Sequence, residues 1–142
     1  MILAIFAMTT MPWGWRSRER LQHLSAIDVR EISMSQTSDS SEYVPTVMLN
    51  PGEIKEFLTL MNQTRRHAPN HPYGGWTVFV RIDVVADDDY YFGLHSTTNT
   101  GTYISLYSNG LDGWNYGELR NDGMKEYVER VFKVREITLR TL

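Results

Sequence analysis

Apolar residues recur at every second position over residues 76–84, where Trp76, Val78, Val80, Ile82 and Val84 alternate with Thr77, Phe79, Arg81 and Asp83. That period is the mark of a strand with one buried face. It returns in Tyr90, Phe92 and Leu94 against Tyr91, Gly93 and His95, and again in Ile104 and Leu106 against Tyr103, Ser105 and Tyr107. Asp87, Asp88 and Asp89 supply one intervening turn, and residues 97–101 supply the other. Three strands so joined form an antiparallel meander. Upstream, residues 27–34 have strand content with Val29 and Ile32 as apolar positions, and residues 35–42 form a polar, turn-rich loop.

The period changes to that of a helix at two places. Asn50-Pro51-Gly52-Glu53 is a start signal: Asn50 caps, Pro51 suits the first helical position, and Glu53 reaches back to the cap N–H. Ile54, Phe57, Leu58 and Met61 then form one apolar stripe at i, i+3, i+4 and i+7. Arg65, Arg66 and His67 suit the negative end of the helix dipole, and Pro69 and Pro72 oppose continuation, so this helix is expected to stop near residue 66. A second helix is expected after Asp122 as its cap, with Met124, Tyr127, Val128 and Val131 as its stripe. Residues 114–119 are a candidate fourth strand, and residues 134–142 read equally as a helical extension or a last strand.

Directly paired residues of antiparallel strands share a face, which restricts the hairpins to registers that match apolar sides. A three-residue loop at Asp87, Asp88 and Asp89 pairs Ala86 with Tyr90, Val84 with Phe92, Ile82 with Leu94 and Arg81 with His95. A five-residue second loop pairs Ser96 with Thr102, Leu94 with Ile104, His95 with Tyr103 and Tyr91 with Tyr107. One face then carries Val78, Val80, Ile82, Val84, Phe92, Leu94, Ile104 and Leu106 as the core, covered by both helices. The other displays Phe79, Arg81, Asp83, Tyr91, His95, Tyr103, Ser105 and Tyr107. The expected architecture is a two-layer α+β fold: an antiparallel sheet of three to five strands with two amphipathic helices packed on one face.

Composition agrees with such a fold. The chain has 142 residues, 42% hydrophobic and 22% charged, enough for one core and far from a disordered balance. The net charge of −3, with Lys and Arg scattered among acids, disfavours nucleic-acid binding. The absence of cysteine excludes disulfides, thiolate metal sites and a cysteine nucleophile.

Residues 1–15 carry no charged side chain, and Arg16, Arg18 and Arg20 follow them. The stretch is shorter than the ~20 apolar residues a spanning helix needs, and Pro12 shortens it further. Residues 1–20 therefore read as a truncated signal or membrane anchor, with an upstream start as one way to complete it, ahead of an α+β domain over residues 24–142. Trp13 and Trp15 suit an interfacial belt and membrane contact through residues 1–15. An ordinary buried N-terminal element is the alternative.

No constellation points to a reaction or a cofactor. His67 and His71 lie past a helix end among prolines, the three aspartates lack the ligand spacing of a calcium loop, and phosphate-cradling glycine motifs are absent. Ser105 and His95, with Asp83 more distant, lack a strained nucleophile elbow. The expectation is a non-enzymatic module at the cell envelope, inhibitor-like or immunity-like, that binds a protein partner through Phe79, Arg81, Tyr91, His95, Tyr103 and Tyr107. A second expectation is a small-ligand or glycan site in residues 110–123, where Asp112, Trp114 and Tyr116 combine stacking with hydrogen bonding. A third is a membrane-anchored structural domain that self-associates.

Overall fold

A computed structural model describes residues 20–36, 45–67, 74–86, 89–97, 101–106 and 118–141. Residues 20–22 are helical, and a short 3₁₀ turn at Ala26–Asp28 leads into β1 (Val29–Ser35) and β2 (Val47–Met48). Helix α1 (Pro51–Asn62) and β3 (Arg65–His67) follow. The meander is β4 (Thr77–Val84), β5 (Tyr90–Thr97) and β6 (Gly101–Leu106), and the described chain closes with β7 (Glu118–Asn121) and α2 (Gly123–Val134). The architecture is the expected α+β, two-layer fold. Four long strands, β1, β4, β5 and β6, form its centre, and the short strands extend the sheet to seven in the order β2-β1-β4-β5-β6-β7-β3. Every pairing is antiparallel.

Apolar parity holds this sheet together. Val78, Val80, Ile82, Val84, Phe92 and Leu94 are buried as the alternation requires, and Ile32 and Met34 of β1 join them. The β5–β6 register is the expected one, with Ser96 opposite Thr102, Leu94 opposite Ile104 and His95 opposite Tyr103. The β4–β5 register differs by four residues: Tyr90 faces Ile82 rather than Ala86, Phe92 faces Val80 rather than Val84, Leu94 faces Val78 rather than Ile82, and Arg81 faces Tyr91 rather than His95. A shift of four, being even, keeps every side chain on its face, so apolar patterning alone does not separate the two registers. The tertiary structure does. The end of β4 pairs with β1, Val84 opposite Val29, and the Val85 N–H donates to the Asp28 carbonyl at 2.9 Å. Asp89 is held against Arg81 at 2.7 Å instead of completing a three-residue turn.

Residues 27–34 start later than expected as a strand. Ile27 lies in the 3₁₀ turn and is 87% exposed, because Asp28 caps that turn through Ser25, its carboxylate accepting from the Ser25 N–H at 3.1 Å and hydroxyl at 2.8 Å.

Both helices pack on the apolar side. Phe57, Leu58 and Met61 of α1 and Met124, Tyr127, Val128, Val131 and Phe132 of α2 are buried. The Phe57 ring meets Phe92 at 6.4 Å and Tyr127 at 5.9 Å between centroids, which ties both helices to β5. Leu21 and Leu24 belong to the same cluster. The start of α1 is as read from the sequence, Asn50 and Glu53 forming a capping box with both bonds at 2.9 Å.

The end of α1 is not where the basic residues suggested. The helix stops at Asn62, and Arg65, Arg66 and His67 form β3 against β7. Thr64 decides the exit: its buried hydroxyl donates to the Met61 carbonyl at 2.7 Å and accepts from the Gln22 amide at 2.9 Å. Asp122 likewise occupies the cap position of α2 without capping it. Asn121 does this instead, its Oδ1 accepting from the Gly123 N–H while its Nδ2 donates to the Leu60 carbonyl, both at 2.8 Å. One amide thus closes the C-terminal end of α1 and opens α2. Asp122 pairs with Arg120 at 2.7 Å and Arg65 at 3.6 Å.

The opposite ends of the two helices meet through Arg135. Its guanidinium grips Glu53 at 2.6 and 2.9 Å and donates to the Met48 carbonyl at 2.9 Å. The Tyr127 hydroxyl donates to the Glu53 carbonyl at 2.8 Å, and burial pushes its pKa up. These joints at both ends make α1 and α2 antiparallel. Past α2 the chain reverses at Glu136, whose φ of 57° is left-handed. The Ile137 N–H bonds the Phe132 carbonyl at 3.0 Å and the Glu136 N–H bonds that of Lys133 at 2.9 Å, a Schellman closure on a non-glycine residue. The tail then runs without regular structure to an isolated bridge between Thr141 and Trp76, held by both amide atoms of Gln36 on the Arg140 backbone. Neither reading of this tail, a helical extension or a last strand, is found: α2 ends at Val134, and Thr141 makes an isolated bridge and no strand.

Two outcomes follow from this packing. A Cβ on Gly75 would stand 1.8 Å from the Ser96 carbonyl oxygen, so Gly75→Ala is expected to cost about 3 kcal/mol in urea unfolding. The Arg135 hydrogen bonds hold the Glu53 carboxyl below the usual carboxylate range. In the unfolded chain it protonates near its ordinary value of ~4.3. The stability it contributes is therefore present above that value and lost as pH falls through the lower folded value. Glu53→Gln should lower stability at pH 7 by about 2 kcal/mol and flatten the decline below about pH 5, as read from unfolding midpoints across the acid range.

Candidate functional site

The face of the sheet opposite the helices is built in rows, because residues in register share a side. Thr77 and His95 form one row. Ser35, Phe79 and Gly93 form the next, and Ser33, Arg81 and Tyr91 a third. Of the residues expected to bind a partner, Phe79, Arg81, Tyr91 and His95 are thus brought onto one surface. Tyr103 stands beside His95 in the β6 backbone register. Tyr107 lies outside the described residues, as do Asp112, Trp114 and Tyr116 of the glycan expectation and residues 1–15 of the membrane expectation.

Tyr91 is 43% exposed, and so is much of Arg81. The Arg81 Nε donates to Asp89 at 2.8 Å, and the Tyr91 hydroxyl reaches the same carboxylate oxygen at 3.4 Å. Asp89 therefore orients both exposed side chains, and its carboxylate pushes the Arg81 pKa up. At the other end of the face, His95 Nδ1 lies 2.9 Å from the Thr77 hydroxyl, and burial pushes the imidazole pKa down. Asp83 bonds Arg30 at 3.2 Å. It is six positions along β4 from Thr77, the residue opposite His95, or about 20 Å at strand rise. It does not orient that imidazole, and the sparse Ser105, His95 and Asp83 set is not assembled.

Beside the aromatic row lies a groove of about 420 Å³, bordered by Ser33, Ser35, Thr46, Phe79, Arg81 and Tyr91. Ser33 falls inside the strand expected over residues 27–34, whereas Ser35, expected to open the polar loop, is the last residue of β1. Thr46 and the orienting role of Asp89 carried no sequence signal, since each depends on which strand lies next to which. A second cleft, about 440 Å³, lies between α2 and the tail over Trp76, whose indole N–H donates to Glu129 at 3.1 Å. Among the described residues there is no group of three or more His, Asp or Glu side chains placed to hold a metal ion, and no helix long and apolar enough to cross a membrane.

No protein-family model, no curated protein and no solved structure matches the chain.

The lowered His95 pKa has a sign that can be measured. The unfolded chain binds this proton near pH ~6.5 and the folded one only at lower pH. The stability tied to the neutral ring is thus present above pH ~6.5 and lost as pH falls through the folded value. His95→Gln should remove this loss, which begins well above the carboxylate range, while leaving the one tied to Glu53. Urea midpoints of both proteins between pH 7.5 and pH 5 are the check.

Proposed function

We propose that the chain is a non-enzymatic interaction module that binds a protein partner through the face carrying Phe79, Arg81, Tyr91 and His95. One observation carries the reading: Tyr91 and Arg81 stand exposed on that face, while Trp76, Phe57, Phe92, Tyr127 and Phe132 are buried. Aromatic and arginine side chains are the usual anchors of protein interfaces, and here Asp89 holds two of them in place before any partner arrives. On this reading residues 1–15 hold the module at the cell envelope, and its action is that of an inhibitor or immunity-type protein, by occupancy and not by chemistry.

The test uses the full chain as bait in source-cell extract, alongside Tyr91→Ser. A captured protein should then bind the purified wild-type chain at least tenfold more tightly than the variant, with the thermal midpoint unchanged; tenfold corresponds to about 1.4 kcal/mol. Equal affinity of the two chains for that protein would remove the face from the reading.

A further inference from the structure

Two separate pieces of the chain cover the same side of β4. β1 covers it as far as Phe79, which faces Ser35, the last residue of β1. β4 begins earlier, at Thr77, and Trp76 precedes it, bonded to Ser96 of β5 on one side and bridged to Thr141 on the other. The C-terminal tail therefore takes the place beside β4 that β1 has left. The Gln36 side chain makes the changeover. Its Nε2 donates to the Thr77 carbonyl at 3.2 Å and the Arg140 carbonyl at 3.0 Å, and its Oε1 accepts from the Arg140 N–H at 2.9 Å. One side-chain amide thus stands in for the peptide groups of a continued β1. A strand end left bare is a template for foreign pairing, which gives this cover a purpose.

The two covers are not equally held. β1 lies inside the sheet between β2 and β4 and buries Ile32 and Met34 completely. In the tail Thr138, Arg140 and Thr141 are exposed, and Ile137 and Leu139 are only half-buried against the core. Beneath it Trp76 is 4% exposed, its indole N–H on Glu129 of α2. A cleft of about 440 Å³ stays open between the tail and α2, so one flank of the tail lacks close-packed neighbours. The tail also leaves α2 through Glu136 at a φ of 57°, a conformation that an L side chain disfavours and that release would relieve. A segment with few buried apolar contacts opens at lower free energy than the sheet it lies on.

We infer that residues 137–141 form a releasable strap, hinged at Glu136 and latched by Gln36, that opens while the sheet stays folded. Closed, it seals the start of β4. Open, it uncovers Trp76 and the backbone beside it. The strap is separate from the face carrying Tyr91, and its test needs no partner.

That test is hydrogen exchange in the ¹⁵N-labelled full chain, read at the Arg140 amide and the Trp76 indole, with the Val80 and Leu94 amides reporting on the sheet. In urea below the unfolding transition, Val80 and Leu94 should exchange steadily faster, because their opening exposes the whole core. Arg140 and the Trp76 indole should share one opening with almost no urea dependence. Ile32→Val, a core change in β1, should speed Val80 and Leu94 about fivefold and leave both strap protons unchanged. Gln36→Ala weakens the closed form against the open and the unfolded chain alike, so it should speed strap and sheet protons together, about fivefold. A urea slope at Arg140 equal to that at Val80, or an Arg140 amide without protection, would overturn the inference. So would a Trp76 indole that follows the sheet while Arg140 does not, or strap protons indifferent to Gln36→Ala. The urea series uses the unaltered chain, so a folding defect in either variant leaves the question decided.

Discussion

Everything in this fold depends on one rule of antiparallel pairing: residues in register share a face. Because β1, β4 and β5 each alternate apolar and polar positions, only registers of one parity bury Ile32, Met34, Val78, Val80, Ile82, Phe92 and Leu94 together. A slip of one residue would turn the whole set to solvent. Burial of each large side chain is worth about 1.5–3 kcal/mol, so the wrong parity is prohibitive. The same rule that assembles the core sends Phe79, Arg81 and Tyr91 to the opposite surface. The candidate site is thus a by-product of the core's alternation, and it stands on interior strands of the sheet.

The helices are fastened to each other by polar joints at their ends and to the sheet by rings at their middle. At one end Arg135 binds Glu53 with both nitrogens, and at the other Asn121 serves Leu60 and Gly123 together. Between them Phe57, Phe92 and Tyr127 pack as a trio. This division suits the physics: apolar contacts supply most of the free energy without direction, while the end joints select the antiparallel arrangement. Less well satisfied is the Thr102 hydroxyl, buried without a partner among the described residues, a cost of about 1–3 kcal/mol that the surrounding packing must offset.

The open face is organised by contrast in side-chain size. Ser33 and Gly93 are small beside Arg81 and Tyr91, which stand exposed on this face. Asp89 completes the arrangement by neutralising Arg81 and restraining Tyr91 from the end of the hairpin. A surface held in place this way loses little conformational freedom on binding, the property that separates an anchor from an incidental exposed side chain.

What the sequence determined by itself is whatever depends on neighbours along the chain. Alternation over β4, β5 and β6, the Asn50 and Glu53 capping box, both helical stripes and the sidedness of Phe79, Arg81, Tyr91 and His95 were all legible, because period and capping act within a few residues. What only the tertiary structure decided depends on strands distant in sequence. Pairing of β4 with β1, and Asp89 with Arg81, chose between two hairpin registers of equal parity. Pairing with β7 drew Arg65, Arg66 and His67 out of a helix and into an edge strand. Asn121 displaced Asp122 as the cap because it alone reaches Leu60 as well. The groove over Ser33 and Ser35 exists only because β2 returns beside β1, and no local period encodes which strands become neighbours.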